Sequence, residues 1–331
     1  MSLKQQVLQQ LEAHRGHSVS GEELAQSLSV SRTAVWKAIQ TLKAEGYAIG
    51  AATNRGYRLD AAPSRITAEG VLNEAGEPPP RRVLVYGSLS STNSEAKRMA
   101  VEGAPHGTLL LAEEQTQGRG RLGRRFHSPR GGIYMSLILR PQLDLSDSTL
   151  ITTMAALAVC QAIEELTPVR PGIKWVNDLL VDGKKVCGIL TEAVSDWESG
   201  RVESVVVGVG LNFQSAAFPD ELAGRATSLF GPEETPAVSP NRMAGEIYHR
   251  LITGCDRLSG QGEADSSGGR RELLKQYKSR LTILGQSVAF TQNGAVRTGT
   301  ALDLDENGRL MVQYASGEIL HLAGGEITFS P

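Results

Sequence analysis

Glycines and arginines alternate in one short run of the sequence, GRGRLGRR, which spans residues 118–125. Because glycine lacks a Cβ, such a loop brings several fixed guanidinium charges and its own backbone close to a ligand. Arginines and backbone N–H groups together bind carboxylates and phosphates. The run therefore predicts a site for an anionic ligand. From this stretch alone, a basic surface loop that contacts no ligand, or only nucleic acid, is the alternative.

The spacing of this run matches two phosphate-binding patterns, but its surroundings match neither. A G-x-G-x-x-G dinucleotide fingerprint must end a strand and open a helix, whose N-terminus holds the pyrophosphate. The apolar stretch LLLAEEQTQ does precede the loop, but Pro129 and a glycine pair follow it and lead into another apolar stretch. A P-loop requires Lys-Ser or Lys-Thr after its last glycine, and two arginines stand there in this chain. Both phosphate-loop interpretations therefore fail.

A second group of charged and polar residues lies in the sequence KWVNDLLVDGKKVCGILTE. Lys174, Asn177 and Asp178 come at the end of a predicted strand. The Asp182-Gly183 pair that follows predicts a type I′ hairpin, from which the chain returns through two adjacent lysines. Lysines beside a hairpin also serve as solubility devices on edge strands, so this group has a structural interpretation as well.

Polar residues also stand at two other element ends. The run SSTN ends at Asn93, and Thr92 with Glu95 has the spacing of a capping box, so these residues also fit the start of a helix. The apolar run VVVGVGLNF predicts a buried strand that ends near Asn212.

Strands and helices mix between residues 66 and 278, the part of the chain that must position these groups. Six apolar stretches predict strands, and helices are predicted at 93–102, 148–166 and 240–258. Many strands with few intervening helices indicate an α+β fold, with a mixed sheet and helices on one face. The composition of 258–271 predicts a flexible loop. The remainder, 281–331, has about five short strands broken by turns, which predicts a small β-barrel.

Residues 1–62 have a different texture, with three short helical patterns followed by two alternating stretches around a turn. This order predicts a winged helix-turn-helix, with Ser20 and Ser31 capping its second and third helices. Residues 1–65 hold eight basic and five acidic side chains. The predicted recognition helix and wing supply candidate DNA contacts: Ser31, Arg32, Thr33, Trp36, Lys37, Arg55 and Arg58. Trp36 is interpreted chiefly as a core residue between helices, and a helical bundle with a solvated basic face is the alternative for the whole segment.

Bulk composition sets limits on the class of protein. The chain has 331 residues, a net charge of −2 and a hydrophobic fraction of 40%, as in ordinary multidomain globular proteins, so any nucleic-acid role must be local. Its three scattered cysteines suit a reducing compartment. The N-terminus has no apolar signal region, and no apolar run approaches the roughly 18 residues of a membrane span. We expect a cytoplasmic protein with no membrane contact.

Taken together, these motifs resemble those of the biotin–protein ligases, in the form that also serves as biotin operon repressor. The motifs are, in order, S-T-N at 91–93, a glutamine at 115, G-R-G-R-x-G at 118–123, K-W-x-N-D at 174–178, K-x-x-G-I-L at 185–190 and G-x-G-x-N at 208–212. With the winged helix in front and the small barrel behind, the resemblance covers essentially the whole chain. One departure is Val176, where the family has proline.

The resemblance implies three domains: a winged helix-turn-helix at 1–62, a catalytic domain at 66–278 similar to class II aminoacyl-tRNA synthetase cores, and an SH3-like barrel at 281–331. The implied enzyme joins biotin to ATP, which gives biotinyl-5′-AMP and pyrophosphate. It then transfers biotin to a lysine of the biotin carboxyl carrier protein of acetyl-CoA carboxylase. Both nucleophiles belong to substrates, so the protein must supply positive charge and positioning. Mg²⁺ is expected through the ATP phosphates, without a protein metal site.

The resemblance also implies residue roles. Lys185 and Arg121 are the implied catalytic residues, and the spacing to Gly188 favours Lys185 over its neighbour Lys184. The implied biotin-binding residues are Ser91, Thr92, Asn93, Gln115, Gly118, Arg119, Gly120, Arg121, Lys185 and Gly188. The implied nucleotide-binding residues are Lys174, Asn177, Asp178 and Asn212. Residues 118–125 would then form a charged lid over the acyl-adenylate, which hydrolyses when wet.

The implied partners are the carrier protein, operator DNA of biotin synthesis and transport genes, and a second copy of the chain when the adenylate is bound. Three other functions stay open. The chain resembles, less closely, lipoate or octanoate ligases, whose R-R-x-S-G-G stretch is only HSPRGG here. The second alternative is a ligand-sensing regulator without turnover, and the third is a ligase whose winged helix no longer binds an operator.

Overall fold

The computed structural model describes residues 2–14, 16–44, 47–52, 56–59, 65–141, 148–195, 202–215, 218–234, 236, 238–259, 266–292 and 294–329. The N-terminal part contains three helices and a three-stranded antiparallel sheet of order β1-β3-β2. Its elements are α1 (Leu3–Ala13), β1 (Ser18–Val19), α2 (Gly21–Ser27), α3 (Arg32–Ala44), β2 (Ile49–Ala52) and β3 (Gly56–Leu59). This confirms the helix-turn-helix followed by a hairpin.

Serines begin both helices of the helix-turn-helix. The Ser20 hydroxyl accepts a hydrogen bond from the Glu23 backbone N–H, and the Glu23 carboxylate accepts one from the Ser20 N–H, which makes a full capping box. At α3 the Ala34 N–H donates to the Ser31 hydroxyl over 3.2 Å. Both predicted caps are therefore confirmed.

Trp36 does not lie in the core, so that interpretation is wrong. Its side chain is 51% exposed on α3, whereas Val35, Ile39 and Leu42 are fully buried. The buried positions recur every three to four residues, and Trp36 falls on the opposite, outer side of the helix. On the wing, Arg58 is exposed in β3, and Arg55 lies outside the described residues.

The central part is built on a seven-stranded sheet of order β4-β5-β6-β10-β9-β8-β7. Its strands are β4 (Arg82–Tyr86), β5 (Thr108–Ala112), β6 (Ile133–Leu139), β7 (Gly172–Lys174), β8 (Asp178–Val181), β9 (Lys184–Ser195) and β10 (Val202–Leu211). Its helices are α4 (Ala68–Glu74), α5 (Thr92–Val101), α6 (Ser148–Leu166), α7 (Pro240–Leu258) and α8 (Ser266–Lys278). β4 pairs with β5 in parallel and the other neighbours are antiparallel, as expected of a mixed sheet.

Helices cover both faces of this sheet, so the expectation of helices on one face is wrong. Leu109 and Leu111 belong to the core that contains α6 and α7, whereas Leu110 belongs to a second cluster on the α5 side. Every residue of β5 and β6 is buried. A strand that is apolar at successive positions must be covered on both faces. The apolar runs of β5 and β6 therefore already indicated helices on both faces of the sheet.

Two other expectations about helices change. α8 occupies 266–278, part of which lay in the predicted 258–271 loop; Leu273 and Tyr277 of α8 are buried, whereas 260–265 lies outside the described residues. The stretch Thr149–Leu166 of α6 is long and apolar enough to cross a membrane by length and composition, contrary to expectation, and 67% of it is buried inside the protein. It packs against α7 and α8 as a core helix.

The C-terminal part forms a five-stranded antiparallel sheet of order β14-β13-β12-β11-β15. The strands are β11 (Ser287–Gln292), β12 (Ala295–Leu304), β13 (Leu310–Gln313), β14 (Ile319–Leu322) and β15 (Ile327–Phe329). This confirms the five predicted strands. Buried residues such as Val288, Phe290 and Leu310 belong to the same apolar core as the central part, and the Trp175 indole N–H donates to the Gly308 carbonyl over 3.2 Å. The two parts therefore share one core.

Candidate functional site

Two adjoining cavities lie where the ends of β9 and β10 meet the glycine–arginine loop. The first has a volume of about 50 Å³ and the second about 130 Å³. They share one wall, which consists of Gly120, Arg121, Phe126, Asn177 and Lys185. The two predicted catalytic cations thus stand between two separate binding spaces.

Hydrogen bonds fix the start of α5 at the first cavity. The Thr92 backbone N–H and hydroxyl both donate to the Gln115 amide oxygen, over 2.8 and 3.1 Å. The Gln115 amide N–H donates in turn to the Ser128 hydroxyl over 2.9 Å. The predicted capping box at Thr92 is wrong by one residue, because Ser91 is the cap and Glu95 pairs with Arg98.

Asn93 forms part of the floor beneath this cavity. Its side-chain oxygen accepts a hydrogen bond from the Ser136 hydroxyl over 2.6 Å, and its N–H groups donate to the Leu190 carbonyl and the Glu192 carboxylate. Gly208 makes this packing possible, since a Cβ there would lie 2.0 Å from the Asn93 oxygen. The side-chain amide of Asn93 is therefore occupied by the protein itself.

The backbone of the loop at 118–125, here called the lid loop, is tightly folded. The Gly120 N–H donates to the Arg124 carbonyl over 2.7 Å, and the Phe126 N–H donates to the Gly118 carbonyl over 2.9 Å. Leu122 and Gly123 turn the chain at positive φ, 55° and 73°. A Cβ on Gly118 would lie 2.4 Å from the Phe126 carbonyl oxygen, so this glycine is required for close approach.

We expect Gly118→Ala to lower the rate of any reaction at this site by about a hundredfold, because the lid loop must shift by a large fraction of an ångström. The unfolding midpoint should change little, since the loop lies outside the apolar core. Gly87→Ala is the matched control, because a Cβ at Gly87 meets no atom within 4 Å. Equal turnover by the two variants would contradict this account of Gly118.

The guanidinium groups of the lid loop point to different partners. Arg121 donates to the Asn177 side-chain oxygen over 2.9 Å, Arg119 lies 3.5 Å from Glu192, and Arg124 forms a close ion pair with Glu326 of the C-terminal part. Arg125 donates to the Thr116 carbonyl over 2.9 Å. Burial lowers the pKa of Arg121, because the charged guanidinium loses contact with water inside the wall.

Lys185 is the second residue of the long strand β9 and lines both cavities. Its ammonium lies 2.7 Å from the Asp178 carboxylate and 5.6 Å from the centre of the Phe126 ring. Positive φ at both Asp182 and Gly183 confirms the predicted hairpin that brings Lys185 back beside Asp178. Lys184 is exposed and lies outside both cavities as far as the described residues show, in agreement with the choice of Lys185.

Asn212 is placed behind this wall. Within the described parts of the chain it lines neither cavity, and it is 3% exposed. Its N–H groups donate to the Lys185 and Thr227 carbonyls over 3.4 and 3.1 Å. A nucleotide contact by Asn212 stays a prediction, and its visible role is to hold the backbone of Lys185.

The structure brings the other predicted residues of the ligase site together, except Gly118, which lines neither cavity as far as the described residues show. The first cavity is lined by Ser91, Thr92, Asn93, Gln115, Arg119, Gly120, Arg121, Lys185 and Gly188. The second is lined by Lys174, Asn177 and Asp178, besides the shared wall. Sequence reasoning missed Phe126, whose only signal was an aromatic residue directly after the loop, and Glu326, which lies in no recognised motif.

The three cysteine thiols are poorly suited to nucleophilic attack. The thiols of Cys160, Cys187 and Cys255 are free and buried, and burial raises the pKa of all three, which makes them poor nucleophiles. Among the residues that the structure describes, no three His, Cys, Asp or Glu side chains cluster closely enough to hold a metal ion.

Comparisons with known proteins agree with this arrangement. Residues 85–212 match the Biotin/lipoate A/B protein ligase family, residues 4–58 match an HTH domain, and residues 283–330 match the Biotin protein ligase C terminal domain. The Bifunctional ligase/repressor BirA of Bacillus subtilis (strain 168) is 38% identical over 90% of this chain and 90% of its own length. The Biotin–acetyl-CoA-carboxylase ligase of Mycobacterium tuberculosis is 32% identical over 73% of this chain and 90% of its own. The structure of the biotin protein ligase from Aquifex aeolicus in complex with biotin and ATP has a TM-score of 0.62 at 26% identity, and the match covers 76% of this chain and 99% of that one.

An HTH domain joined to a ligase core and a ligase C-terminal domain defines a protein that combines an enzyme with a DNA-binding repressor. The chain belongs to the bifunctional ligase/repressor family of biotin protein ligases. The resemblance drawn from the motifs is confirmed.

Proposed function

We propose that the chain adenylates biotin with ATP in the two adjoining cavities and then transfers biotin to a lysine of a biotin carboxyl carrier protein. The observation that carries this proposal is the shared wall. Arg121 and Lys185 line both cavities, so a carboxylate in the first and a phosphate in the second would meet between two cations. Two cations at that point favour attack of one anion on another.

The first cavity suits biotin because both apolar and polar side chains line it. Apolar side chains of Met135, Ile189 and Val209 line it together with the polar start of α5. We place the ureido ring near Thr92 and Gln115, which offer donors and acceptors, and the carboxylate end towards Arg121. This orientation carries the reacting carboxylate to the shared wall.

The second cavity suits the nucleotide. Gly325, Glu326 and Ile327 of the C-terminal part line it beside Lys174 and Asp178. We infer that the C-terminal part completes the ATP site. Mg²⁺ would arrive on the ATP phosphates and keep most of its waters.

The lid loop then has two tasks in the reaction. Its arginines neutralise the crowded phosphate while pyrophosphate leaves, and its backbone excludes water from the mixed anhydride until the carrier lysine attacks. The amine of that lysine forms the amide bond and AMP leaves, so no covalent bond to the enzyme is formed.

The test is an ATP–pyrophosphate exchange assay with biotin, octanoate or lipoate as the acid. We expect exchange that depends on biotin and is far weaker with the other two acids. An absence of exchange with biotin would overturn the enzymatic proposal and leave a ligand-sensing DNA-binding regulator.

We propose further that the chain represses transcription as a homodimer, when adenylate is bound, on operators of biotin genes. The support is the outer side of α3, where Ser31, Arg32, Thr33 and Lys37 are exposed together with Trp36. The Arg32 guanidinium lies 3.2 Å from Glu22, and both side chains are mostly exposed, so this pair can open towards DNA. We also propose domain boundaries at 1–62, 66–278 and 281–331, a synthetase-like core, an SH3-like barrel and a cytoplasmic location.

We expect Trp36→Ala to weaken operator binding by about tenfold, because an exposed indole on a recognition helix offers apolar contact to thymine methyl groups. Ligase activity should not change. The probe is a duplex selected from random sequences by the wild-type protein, with each thymine replaced in turn by uracil, which lacks only the methyl group. Uracil substitutions that weaken binding of the wild type should have no further effect on Trp36→Ala. Identical uracil patterns for both proteins would contradict apolar base contact by Trp36, and Trp36→Phe serves as the conservative control.

A further inference from the structure

The carboxylate of Glu192 faces three nitrogen groups from two elements, helix α5 and the lid loop. Glu192 lies on β9, and its side chain is 15% exposed. The Asn93 amide N–H donates to it over 3.0 Å from the start of α5, and the Lys97 ammonium donates over 3.1 Å from the next turn of that helix. The third group is the Arg119 guanidinium of the lid loop, at 3.5 Å.

Glu192 is charged in this setting. Burial alone would raise its pKa, but hydrogen bonds from Asn93 and Lys97 and the positive charge of Arg119 outweigh burial and hold the pKa below its usual value. The side chain is therefore a carboxylate at neutral pH, with two cations beside it.

The position of Glu192 links the floor of the first cavity to its cover. Asn93 and Arg119 both line that cavity, one from below and one from the lid loop. A second ion pair of the lid loop, between Arg124 and Glu326, joins two more exposed side chains, and exposed pairs contribute little. Of these two ion pairs, the one at Glu192 is therefore the more buried.

We propose that Glu192 anchors the closed lid loop by holding Arg119, and so sets how long the acyl-adenylate is retained before transfer. This inference rests on the proposed role of residues 118–125 as a lid. Glu192 is a positioning residue: it acts through Arg119 and Asn93, while the chemistry stays with Lys185 and Arg121.

The test is the release of labelled biotinyl-AMP from the full-length protein in the absence of carrier protein. Glu192→Gln keeps an acceptor for Asn93 but removes the charge that holds Arg119. We expect adenylate release to become about fivefold faster, as for loss of a partly exposed ion pair. The rate of adenylate formation should stay within about twofold, because no group at the shared wall changes.

Two further variants separate anchoring from a general structural role. Lys97→Met removes the other cation from Glu192 and leaves Arg119 in place, so its adenylate release should match the wild type. The double variant Glu192→Gln with Arg119→Gln should release adenylate no faster than Arg119→Gln alone, since both changes remove the same contact.

Wild-type release from Glu192→Gln, or additive effects in the double variant, would overturn the proposal. Failure of the wild type to form adenylate would instead overturn the proposed function. If Glu192→Gln unfolds, Glu192→Asp keeps the charge and shortens its reach; the contact with Arg119 is the longest of the three and is lost first. The same faster release is then expected, and its absence counts against the anchor.

Discussion

Replacement of Lys185 by alanine should lower biotin-dependent ATP–pyrophosphate exchange by about a hundredfold to a thousandfold, the usual cost of losing a preorganised group that stabilises transition-state charge. The Lys185 ammonium stands in the wall between the two cavities, 2.7 Å from Asp178. Its loss would leave a carboxylate and a phosphate to approach each other with half of the local positive charge. The Asp178 carboxylate would also lose its partner and repel both anions.

Lys184→Ala is the control for this experiment, because Lys184 is adjacent in sequence, has the same charge and is exposed. Its exchange rate should stay within about twofold of the wild type, as for ordinary surface changes. A large loss in Lys184→Ala with activity kept in Lys185→Ala would reverse the assignment of the two lysines.

Arg121→Lys should also lower the rate of adenylation severely, although the positive charge is kept. The Arg121 guanidinium reaches the Asn177 side-chain oxygen over 2.9 Å and lines both cavities at once. A lysine has one compact ammonium in place of a planar fork, so it cannot contact Asn177 and two substrates together. We expect kcat/KM for adenylation to fall by about a hundredfold, mostly in kcat, because the lost contacts form in the transition state.

Arg130→Lys is the matched change for comparison. Arg130 follows the lid loop closely in sequence, forms a close ion pair with Glu113 and is absent from both cavities as far as the described residues show. Its kinetics should remain near those of the wild type. If Arg121→Lys raised KM alone, Arg121 would bind the ground state and the transition state equally, and its catalytic role would be wrong.

Local signals predicted much of the fold. The predicted bounds of α6 and α7 match the structure, since apolar spacing runs through both helices and Ser239 with Pro240 gives α7 a defined start. The hairpin at Asp182-Gly183 was equally readable, because turn types depend on a few residues. The short helix α4 was missed although Thr67 caps it.

Two of the misses, at α8 and at Trp36, have a shared physical cause, which is that they depend on distant partners. The composition SSGGRR hid the start of α8, where packing of Leu273 and Tyr277 overrides the low helix propensity of glycine. The outward position of Trp36 depends on which side of α3 meets α1 and α2. Residue type alone assigns a tryptophan to the core.

The sequence identified most residues of the site but not the contacts between their side chains. Most residues of the predicted motifs line the two cavities, since each motif is local, whereas Gly118 and Asn212 line neither as far as the described residues show. The partners of the lid arginines were not visible, because Arg124 and Glu326 are 202 positions apart and Glu192 lies far from Arg119 in sequence. Salt bridges between such distant positions leave no periodic signal in one chain.

The core shared by the central and C-terminal parts has a consequence for synthesis on the ribosome. The helix-turn-helix emerges first and has a separate apolar core of its own, so it can fold while the rest of the chain is still being made. The catalytic machinery matures last, because the strands that carry Val288 and Leu310 close the common core and Gly325 to Ile327 close the second cavity. A chain that stopped before residue 281 would therefore keep the separate core of its helix-turn-helix, but its central part would expose apolar surface and lack part of the wall of the second cavity.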